Sequence, residues 1–455
     1  MKLAMRLRLS VGLAAALAGA ALTVLQAGPA AGASASTAPT FHSAAGLSLI
    51  SAQADGPRTW RLSIRSEALS RPVDVDVLLP TDYASTTRRY PSVYLEHGTS
   101  GRASDWLEQG NAAAATALYP MIVVMPDAGY SGNGGSWFTN WVDQGTALGT
   151  ANWETFHIDQ LIPFIDDNLR TMTSRDARAI AGLSQGGFGS FSYAARHPDL
   201  FVAAASFSGA PDIDSNLLVK TAATAVISAT ATGLDGVEPN AMFGDPASND
   251  INWQGHNPAS LVTNLGATDL RLWSGNGLPG PLDNLMSAVS GAVIEGVVHA
   301  STLSFAQVAS AAHVPFVFND YGPGTHSWTY WSRDLTEWLP HLAAVFAAPP
   351  AVPSSITYRC VDRSWTQWGW TVATHRVPAQ AFSALTDASR GAFSFTGAPA
   401  TVRTPSFYAP GSVHVITVTG GSAPPVATAD RQGQLSIDVS PASPQQPTLV
   451  AIARG

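Results

Sequence analysis

A serine in a glycine-flanked turn is the first candidate for chemistry in this sequence. Ser184 lies in the pentapeptide GLSQG at 182–186, which follows an apolar run at 177–181 and precedes a helix-like segment at 187–197. Flanking glycines let a strand turn sharply into a helix, and such a turn exposes the serine hydroxyl for nucleophilic attack. Because the pentapeptide alone is weak evidence, we predict a nucleophile only if the chain also supplies the partners that activate it.

A histidine must take the proton of this serine, and 11 histidines are available. His326 follows an apolar strand-like run at 314–319 through a Gly-Pro-Gly turn and precedes a helix-like segment at 328–346. A base on a loop beyond the last strand is the position expected for a serine nucleophile on a strand-to-helix turn. An ordinary loop histidine is the alternative interpretation.

The acid that would orient His326 has two candidates. Asp283 lies shortly after the strand-like run at 270–274, where such acids are often found. Glu295 is the only acid between Asn284 and Asn319, and it lies in an apolar helix-like stretch. A carboxylate with so few local cationic partners is either solvated or paired with a distant group such as a histidine. From the residues alone, both candidates stay open.

A tetrahedral oxyanion needs preorganised donors, which backbone N–H groups can supply. The first candidate is the N–H of Gln185, directly after the serine. The second comes from the loop after an earlier buried strand, where Thr99 is the first choice and Gly98 the next. No metal site and no cofactor are predicted, because the sequence contains no H-E-x-x-H motif, cysteine cluster, P-loop or dinucleotide fingerprint.

Composition limits the classes of protein to which this chain can belong. Its 455 residues are 45% hydrophobic and 12% charged, which predicts two domains with large cores and excludes disorder for most of the chain. The net charge of −8 is unsuited to nucleic-acid binding through phosphates. The single cysteine, Cys360, excludes an internal disulfide.

The N-terminus predicts a secretory signal peptide over residues 1–33. Lys2, Arg6 and Arg8 precede an apolar stretch at 9–25, and small residues at 31–33 favour cleavage after Ala33. An uncleaved membrane anchor is the alternative, because the apolar stretch nearly reaches spanning length. No later stretch is expected to be long and apolar enough to span a bilayer. We therefore expect a secreted protein, extracellular or in the cell wall, without a stable membrane span after cleavage.

Strand-like and helix-like patterns alternate in the first three quarters of the chain. Two alternating runs at 59–79 predict an antiparallel hairpin at a sheet edge, and continuously apolar runs further on predict buried parallel strands. Residues 34–58 are expected to form a flexible lead-in, and the stretch from 208 to about Thr268 to be irregular. The predicted fold class is α/β, a doubly wound sheet of the α/β-hydrolase type with the site at its carboxyl edge.

The composition changes near residue 347. We predict a catalytic domain at 59–346, a Pro-rich linker at 347–355 and a β-rich accessory domain at 356–455 resembling a small β-sandwich. The accessory domain carries SWTQWGW at 364–370. Its tryptophans are either core residues or an aromatic platform for sugar or polymer.

Residues 59–346 resemble the secreted esterases that include the antigen 85 mycolyltransferases. The matching stretches, in the order of the chain, are VYLEHG (93–98), IVVMPDAG (122–129), WFTNW (137–141), WETF (153–156), GLSQGG (182–187), LWSGNG (272–277) and GPGTHSWTYW (322–331). The resemblance implies Ser184 as nucleophile and His326 as base. It also favours Glu295 over Asp283, since the family's catalytic glutamate lies on the helix after the LWSGNG strand.

The match departs from the family at the positions that hold trehalose in the mycolyltransferases, an Asp directly before the first loop glycine and an Arg shortly after it. These positions hold His97 and either Ser100 or Arg102, so trehalose is not implied as the acceptor. His97 and Trp328 are the candidate substrate-binding residues.

The sequence therefore predicts a serine acyl-ester hydrolase or acyltransferase that works through an acyl-enzyme on an acyl ester or glycolipid. A sugar or a cell-wall polymer is the candidate acceptor. The alternatives are a plain secreted carboxylesterase that releases acyl groups to water, and a non-catalytic cell-wall or carbohydrate-binding protein on a hydrolase scaffold.

Overall fold

The computed structural model describes residues 38–130, 132–377 and 379–455, with the backbone alone at Leu285 and Ser287. The predicted signal peptide, residues 1–33, lies outside these ranges. A nine-stranded sheet covered by helices is followed in the chain by two smaller antiparallel sheets. The predicted fold class, a doubly wound α/β sheet followed by a β-sandwich-like domain, is confirmed.

Nine strands form the large sheet: β1 (Leu47–Ala54), β2 (Thr59–Ser66), β3 (Val73–Leu78), β4 (Ser92–Glu96), β5 (Ile122–Pro126), β6 (Arg178–Leu183), β7 (Ala203–Phe207), β8 (Asp269–Ser274) and β9 (Val317–Asp320). Their order is β1-β2-β3-β5-β4-β6-β7-β8-β9. The pairs from β1 to β5 are antiparallel, and those from β5 to β9 are parallel. The order reverses between β5, β4 and β6, which places a ligand crevice at the carboxyl ends of these strands.

Helices cover both faces of this sheet: α1 (Asp105–Glu108), α2 (Ala112–Ala115), α3 (Ile162–Asn168), α4 (Gln185–Arg196), α5 (Leu217–Thr230), α6 (Asp250–His256), α7 (Leu285–Ser290), α8 (Ala292–Ala311) and α9 (Trp328–Ala347). A π-helical turn, Thr155–Leu161, leads into α3, and a second one, Ala231–Asp235, follows α5. Short 3-10 turns lie at Tyr83–Ser85, Arg175–Ala177 and Val262–Leu265.

The central strands are apolar along their whole length because both of their faces are covered. Every residue of β4, β5, β6 and β7 is buried. Along β4, Val93 and Leu95 belong to the apolar cluster on one face, and Tyr94 belongs to the cluster on the other. Side chains alternate between the faces of a strand, so such a run is buried only in a sheet with helices on both sides.

Two segments of the chain differ from the sequence expectations. Residues 47–54, within the expected flexible lead-in, form β1, so the predicted hairpin β2–β3 is not the outer edge. Residues 217–230, within the expected irregular stretch, form α5. Backbone pairing with β2 holds β1, half of whose side chains are Ser or Ala. Apolar side chains lie all around α5, so its sequence lacks the alternation of apolar and polar faces that identifies an amphipathic helix.

Residues 356–455 form two antiparallel sheets that share one apolar core. Their strands are β10 (Ile356–Cys360), β11 (Ser364–Gln367), β12 (Trp370–Thr374), β13 (Ser383–Ala388), β14 (Ala392–Thr396), β15 (Ala400–Arg403), β16 (Val413–Thr419), β17 (Gly421–Ser422), β18 (Val426–Thr428), β19 (Ser436–Pro441) and β20 (Thr448–Arg454). One sheet has the order β10-β13-β14-β20-β16-β18, and the other β11-β12-β15-β19-β17. The predicted domain boundaries stay a prediction.

The three tryptophans of SWTQWGW are packing residues. Trp365 and Trp370 lie in the core of the sandwich, and the indole N–H of Trp365 donates to Ser383 at 2.9 Å. Trp368 is half-buried beneath the guanidinium of Arg175, 5.1 Å from the centre of its ring. This arrangement supports the core interpretation over an aromatic platform.

The sandwich is anchored at the C-terminal end of α4, where Arg196 is buried. Its guanidinium donates to Glu154 at 2.7 Å and to Asp362 of the sandwich at 3.0 Å. Its carbonyl accepts the hydroxyl of Tyr358 at 2.7 Å. The helix that begins at Gln185 therefore ends against Tyr358 and Asp362 of the sandwich.

We predict that Tyr358→Phe lowers the free energy of unfolding by about 1–3 kcal/mol, because the buried carbonyl of Arg196 loses a donor. Urea denaturation measures this change. Tyr119→Phe, on the apolar cluster across the large sheet, is the matched control. Equal effects of the two substitutions would contradict the anchoring role.

Candidate active site

Ser184 lies at the carboxyl end of β6, on the turn into α4. Its backbone has φ 53° and ψ −122°, a left-handed conformation that is strained for a serine. Its N–H donates to the carbonyl of Phe207 in β7 at 3.0 Å, which fixes the turn against the sheet. Beyond the end of the strand, Ser184 is one of the residues that line a pocket.

The structure brings Ser184, His326 and Glu295 into one hydrogen-bonded line. His326 Nε2 lies 2.8 Å from Ser184 Oγ, and His326 Nδ1 lies 2.7 Å from Glu295 Oε2. A carboxylate only accepts, so Nδ1 carries the proton and Nε2 is free to accept the serine proton. Trp331 packs edge-on against the imidazole at 4.8 Å between ring centres and limits its rotation.

Glu295 is fully buried in the first turn of α8, yet its carboxylate is well supplied with donors. Oε1 accepts the N–H of Gly275 at 2.7 Å, the hydroxyl of Ser208 at 2.9 Å and the hydroxyl of Ser274 at 3.1 Å. With the bond from His326, four donors replace the hydration that a buried carboxylate loses. Glu295 therefore holds the imidazole without a lysine or arginine at its side.

Asp283, the other candidate acid, lies beside the histidine loop and holds its backbone. It accepts the N–H of Gly280 at 2.7 Å, the hydroxyl of Tyr330 at 3.1 Å and the hydroxyl of Thr325. Thr325 directly precedes His326. The geometry assigns the contact with the imidazole to Glu295 and the support of the loop to Asp283.

Two backbone segments meet at Ser184. The N–H of Gln185 is the first of α4 and has no intrahelical acceptor. Thr99 lies in the turn after β4, and the side chain of Gln185 donates to its hydroxyl at 3.2 Å. The same side chain accepts the N–H of Trp137 at 3.2 Å and donates to the carbonyl of Gly134 at 3.1 Å. Gln185 thus joins the nucleophile turn to the two loops around it.

His97, which the sequence predicts to contact substrate, is buried below the loop. Its Nδ1–H donates to the carbonyl of Gly98, and its Nε2 accepts the N–H of Ala128, both at 2.8 Å. Burial lowers the pKa of His97, which keeps the ring neutral and suited to one donated and one accepted bond. The ring positions the turn that carries Thr99.

A pocket of about 1310 Å³ opens above Ser184. Trp328 borders it and packs edge-on against both Trp106 and Trp331, each at 5.3 Å. Its long walls come from α5 and α8 and are apolar: Leu218, Val219, Val226, Val293, Ile294 and Val297. Across the described ranges, no group of three or more His, Cys, Asp or Glu side chains is placed to hold a metal ion.

A protein-family model named Esterase matches residues 66–342. The chain belongs to this esterase family. Within the family it is similar to the diacylglycerol acyltransferase/mycolyltransferase Ag85B of Mycobacterium leprae, with 31% identity over 302 residues that cover 64% of this chain and 84% of that protein.

The chain is also similar to esterase Rv1288 of Mycobacterium tuberculosis, with 41% identity over 168 residues. The match covers 36% of this chain and 35% of that protein, so this chain spans about a third of that relative's length.

Two solved structures share the fold of this esterase. MPT51 of Mycobacterium tuberculosis superimposes with a TM-score of 0.51 at 24% identity, covering 63% of this chain and 97% of that one. S-formylglutathione hydrolase of Agrobacterium tumefaciens gives a TM-score of 0.50 at 18% identity, covering 65% and 98%. At these identities the likeness concerns the fold alone.

Sequence reasoning missed the three donors that hold the carboxylate of Glu295. Ser208 follows β7, while Ser274 ends β8 and Gly275 follows it. Small polar residues at the carboxyl ends of neighbouring parallel strands were the available signal, because those ends meet at one edge of the sheet.

We predict that Gly98→Ala destabilises this esterase by about 1–3 kcal/mol, because overpacking displaces the turn. A Cβ at this position would lie 2.6 Å from the Leu183 side chain and 3.1 Å from Ser184 Cβ. Thermal or urea unfolding measures the loss. Gly391→Ala is the matched control, since its Cβ meets nothing within 4 Å. Equal stability of the two variants would show that the turn yields freely.

Proposed function

We propose that this esterase cleaves carboxylic esters through an acyl-enzyme on Ser184, with His326 as general base and acid and Glu295 as the orienting acid. The observation that carries the proposal is the position of His326, whose two ring nitrogens contact the serine hydroxyl and the buried carboxylate. These are the contacts that serine acyl transfer requires of a histidine.

In the first half-reaction, Ser184 Oγ attacks the ester carbonyl while His326 Nε2 takes the hydroxyl proton. The Glu295 carboxylate stabilises the imidazolium that forms. The tetrahedral intermediate then expels the alcohol, which receives the proton from His326, and the acyl group stays on Ser184. We assign the N–H groups of Gln185 and Thr99 to the oxyanion, because they flank the nucleophile on two fixed turns.

In the second half-reaction, water or another hydroxyl gives its proton to His326 and attacks the acyl-enzyme. Collapse of the second intermediate releases an acid or a new ester and restores Ser184. The choice between hydrolysis and transfer depends on whether an acceptor fills the site and excludes water.

The pocket supports an acyl group with a long apolar chain. Its volume of about 1310 Å³ exceeds the roughly 300–1000 Å³ of ordinary small-molecule sites. Apolar side chains of α5 and α8 line it from Ser184 outward, so an acyl chain placed there would leave water along most of its length.

The acceptor is water or a hydroxyl compound held at the polar end of the pocket. Thr99, Ser100, Asp105 and Gln109 lie at this end. His97 is buried below the loop and is unavailable to a sugar, which favours the plain carboxylesterase as the second candidate function. We further propose that the protein acts outside the cell, on the strength of the predicted signal peptide and the resemblance to secreted esterases.

We predict that Glu295→Gln lowers kcat by about 10³- to 10⁴-fold, because an amide cannot stabilise the imidazolium as the carboxylate does. Hydrolysis of a soluble p-nitrophenyl ester measures the loss. Asp283→Asn is the comparison, and we expect it to keep most of the activity while lowering thermal stability. Near-normal activity of Glu295→Gln together with a large loss in Asp283→Asn would transfer the orienting role to Asp283.

Labelling with a serine-directed fluorophosphonate provides the control for these variants. The parent should be labelled at Ser184 alone, and Ser184→Ala should stay unlabelled while folding normally. A label found at another serine would remove the basis of the mechanism.

Incubation with a long-chain acyl ester, with and without trehalose or another sugar, separates transfer from hydrolysis. Because the family positions that hold trehalose differ here, we expect free acid in both reactions and little acyl trehalose. Mass spectrometry of the products measures the partition. Acyl trehalose as the main product would establish the transferase at the expense of the carboxylesterase.

A further inference from the structure

The mouth of the pocket is surrounded by apolar side chains that project from the protein. Leu217 and Leu218 at the start of α5 are 81% and 78% exposed. Met286 of α7, Val289 of α7 and Val293 of α8 are 72–77% exposed. We call these five side chains the apolar rim. Clusters of exposed large apolar side chains on this scale mark interaction sites.

The two helices that carry most of the rim are more apolar than their burial explains. Residues 217–235 have a mean hydropathy of 1.4, although only 22% of their most apolar stretch is buried, and residues 292–311 have 1.2 with 39% buried. By length and composition both helices could cross a membrane, so the expectation that no such stretch follows the signal peptide is wrong. Both helices wall the pocket above Ser184, which favours contact with a lipid surface over a crossing.

Charge is nearly absent from the rim. The only cation of α5, Lys220, lies 2.7 Å from Asp214 and also contacts Asp250. The only acid of α8, Glu295, faces inward to His326. An uncharged apolar surface fits an uncharged lipid surface better than a charged partner.

We propose that the apolar rim docks this esterase on the surface of aggregated, uncharged lipid, so that an ester chain passes from the aggregate into the pocket without crossing water. The rim is continuous with the pocket, because Leu218, Met286 and Val293 belong to both. A second copy of the chain on the rim would close the mouth of the pocket, whereas a lipid surface would supply ester chains to the pocket. The delivery of substrate rests on the proposed function, and the docking itself does not.

The binding test uses full-length Ser184→Ala protein, which cannot turn over lipid, and sedimentation with phosphatidylcholine vesicles. We expect the protein to bind, and the added pair Leu217→Asp and Val289→Asp to weaken binding more than about tenfold. In the chain these two positions are next to Leu218 and Ser290, which line the pocket, and neither is itself a lining residue. Leu118→Asp is the matched control, because Leu118 is 90% exposed before β5, at the opposite edge of the sheet.

Absence of vesicle binding, or equal binding of the rim variant and its parent, would overturn the proposal. A dimer in size-exclusion chromatography that the rim variant loses, without vesicle binding, would assign the rim to a second copy instead.

Activity separates this proposal from the proposed function. With Ser184 intact, the rim variant should hydrolyse soluble p-nitrophenyl butyrate at the parent rate and lose most of its rate on an emulsified long-chain ester. If the parent bound vesicles but cleaved neither ester, docking would stand and the proposed function would fall. Equal loss on both esters would overturn the delivery role.

Discussion

The buried carboxylate of Glu295 is the constraint on which the site depends. Among the described residues no lysine or arginine forms an ion pair with it, and it is held by hydrogen bonds from Ser208, Ser274, Gly275 and His326. These donors come from the carboxyl ends of two strands and from the histidine loop, so the carboxylate is satisfied only when all three segments are in place. A side chain that would be costly to bury alone thereby fixes the relative positions of strand, helix and loop. The Glu295 carboxylate orients the imidazole of His326, and the oriented imidazole contacts the hydroxyl of Ser184.

Several hydrogen bonds also hold the backbone around Ser184. His97 lies below the Gly98 turn and uses both ring nitrogens on backbone groups, while Gln185 connects the nucleophile turn to the neighbouring loops. Each of these side chains fixes the backbone of a turn next to Ser184. Preorganisation of this kind removes the cost of rearrangement from the chemical step. The strained backbone of Ser184 persists because these contacts surround it.

The pocket lies at the N-terminal end of α4, next to Ser184, and the sandwich contacts its C-terminal end. Above its first turn, α5 and α8 enclose a large apolar pocket and leave apolar side chains in solvent. At its last turn, Arg196 joins Glu154 to Asp362 of the sandwich. The sandwich therefore packs against the large-sheet part of the chain at this point. Trp365 and Trp370 lie in its own core, and Trp368 lies beneath Arg175. Leu217, Leu218, Met286, Val289 and Val293, each more than 70% exposed, lie on the helices next to this pocket.

The sequence by itself determined what is local or periodic. The glycine-flanked serine, the continuously apolar strands and the loop position of His326 each follow from a few neighbouring residues, and the fold class and the pairing of Ser184 with His326 could be predicted from them. The residues alone left Glu295 and Asp283 open and only the family resemblance favoured Glu295, because tertiary structure decides which carboxylate meets the ring. The sequence likewise did not predict three further features: the burial of His97, the role of α5 and the strand at 47–54. Each depends on contacts between residues distant in sequence, and side-chain direction at such contacts leaves no periodic trace.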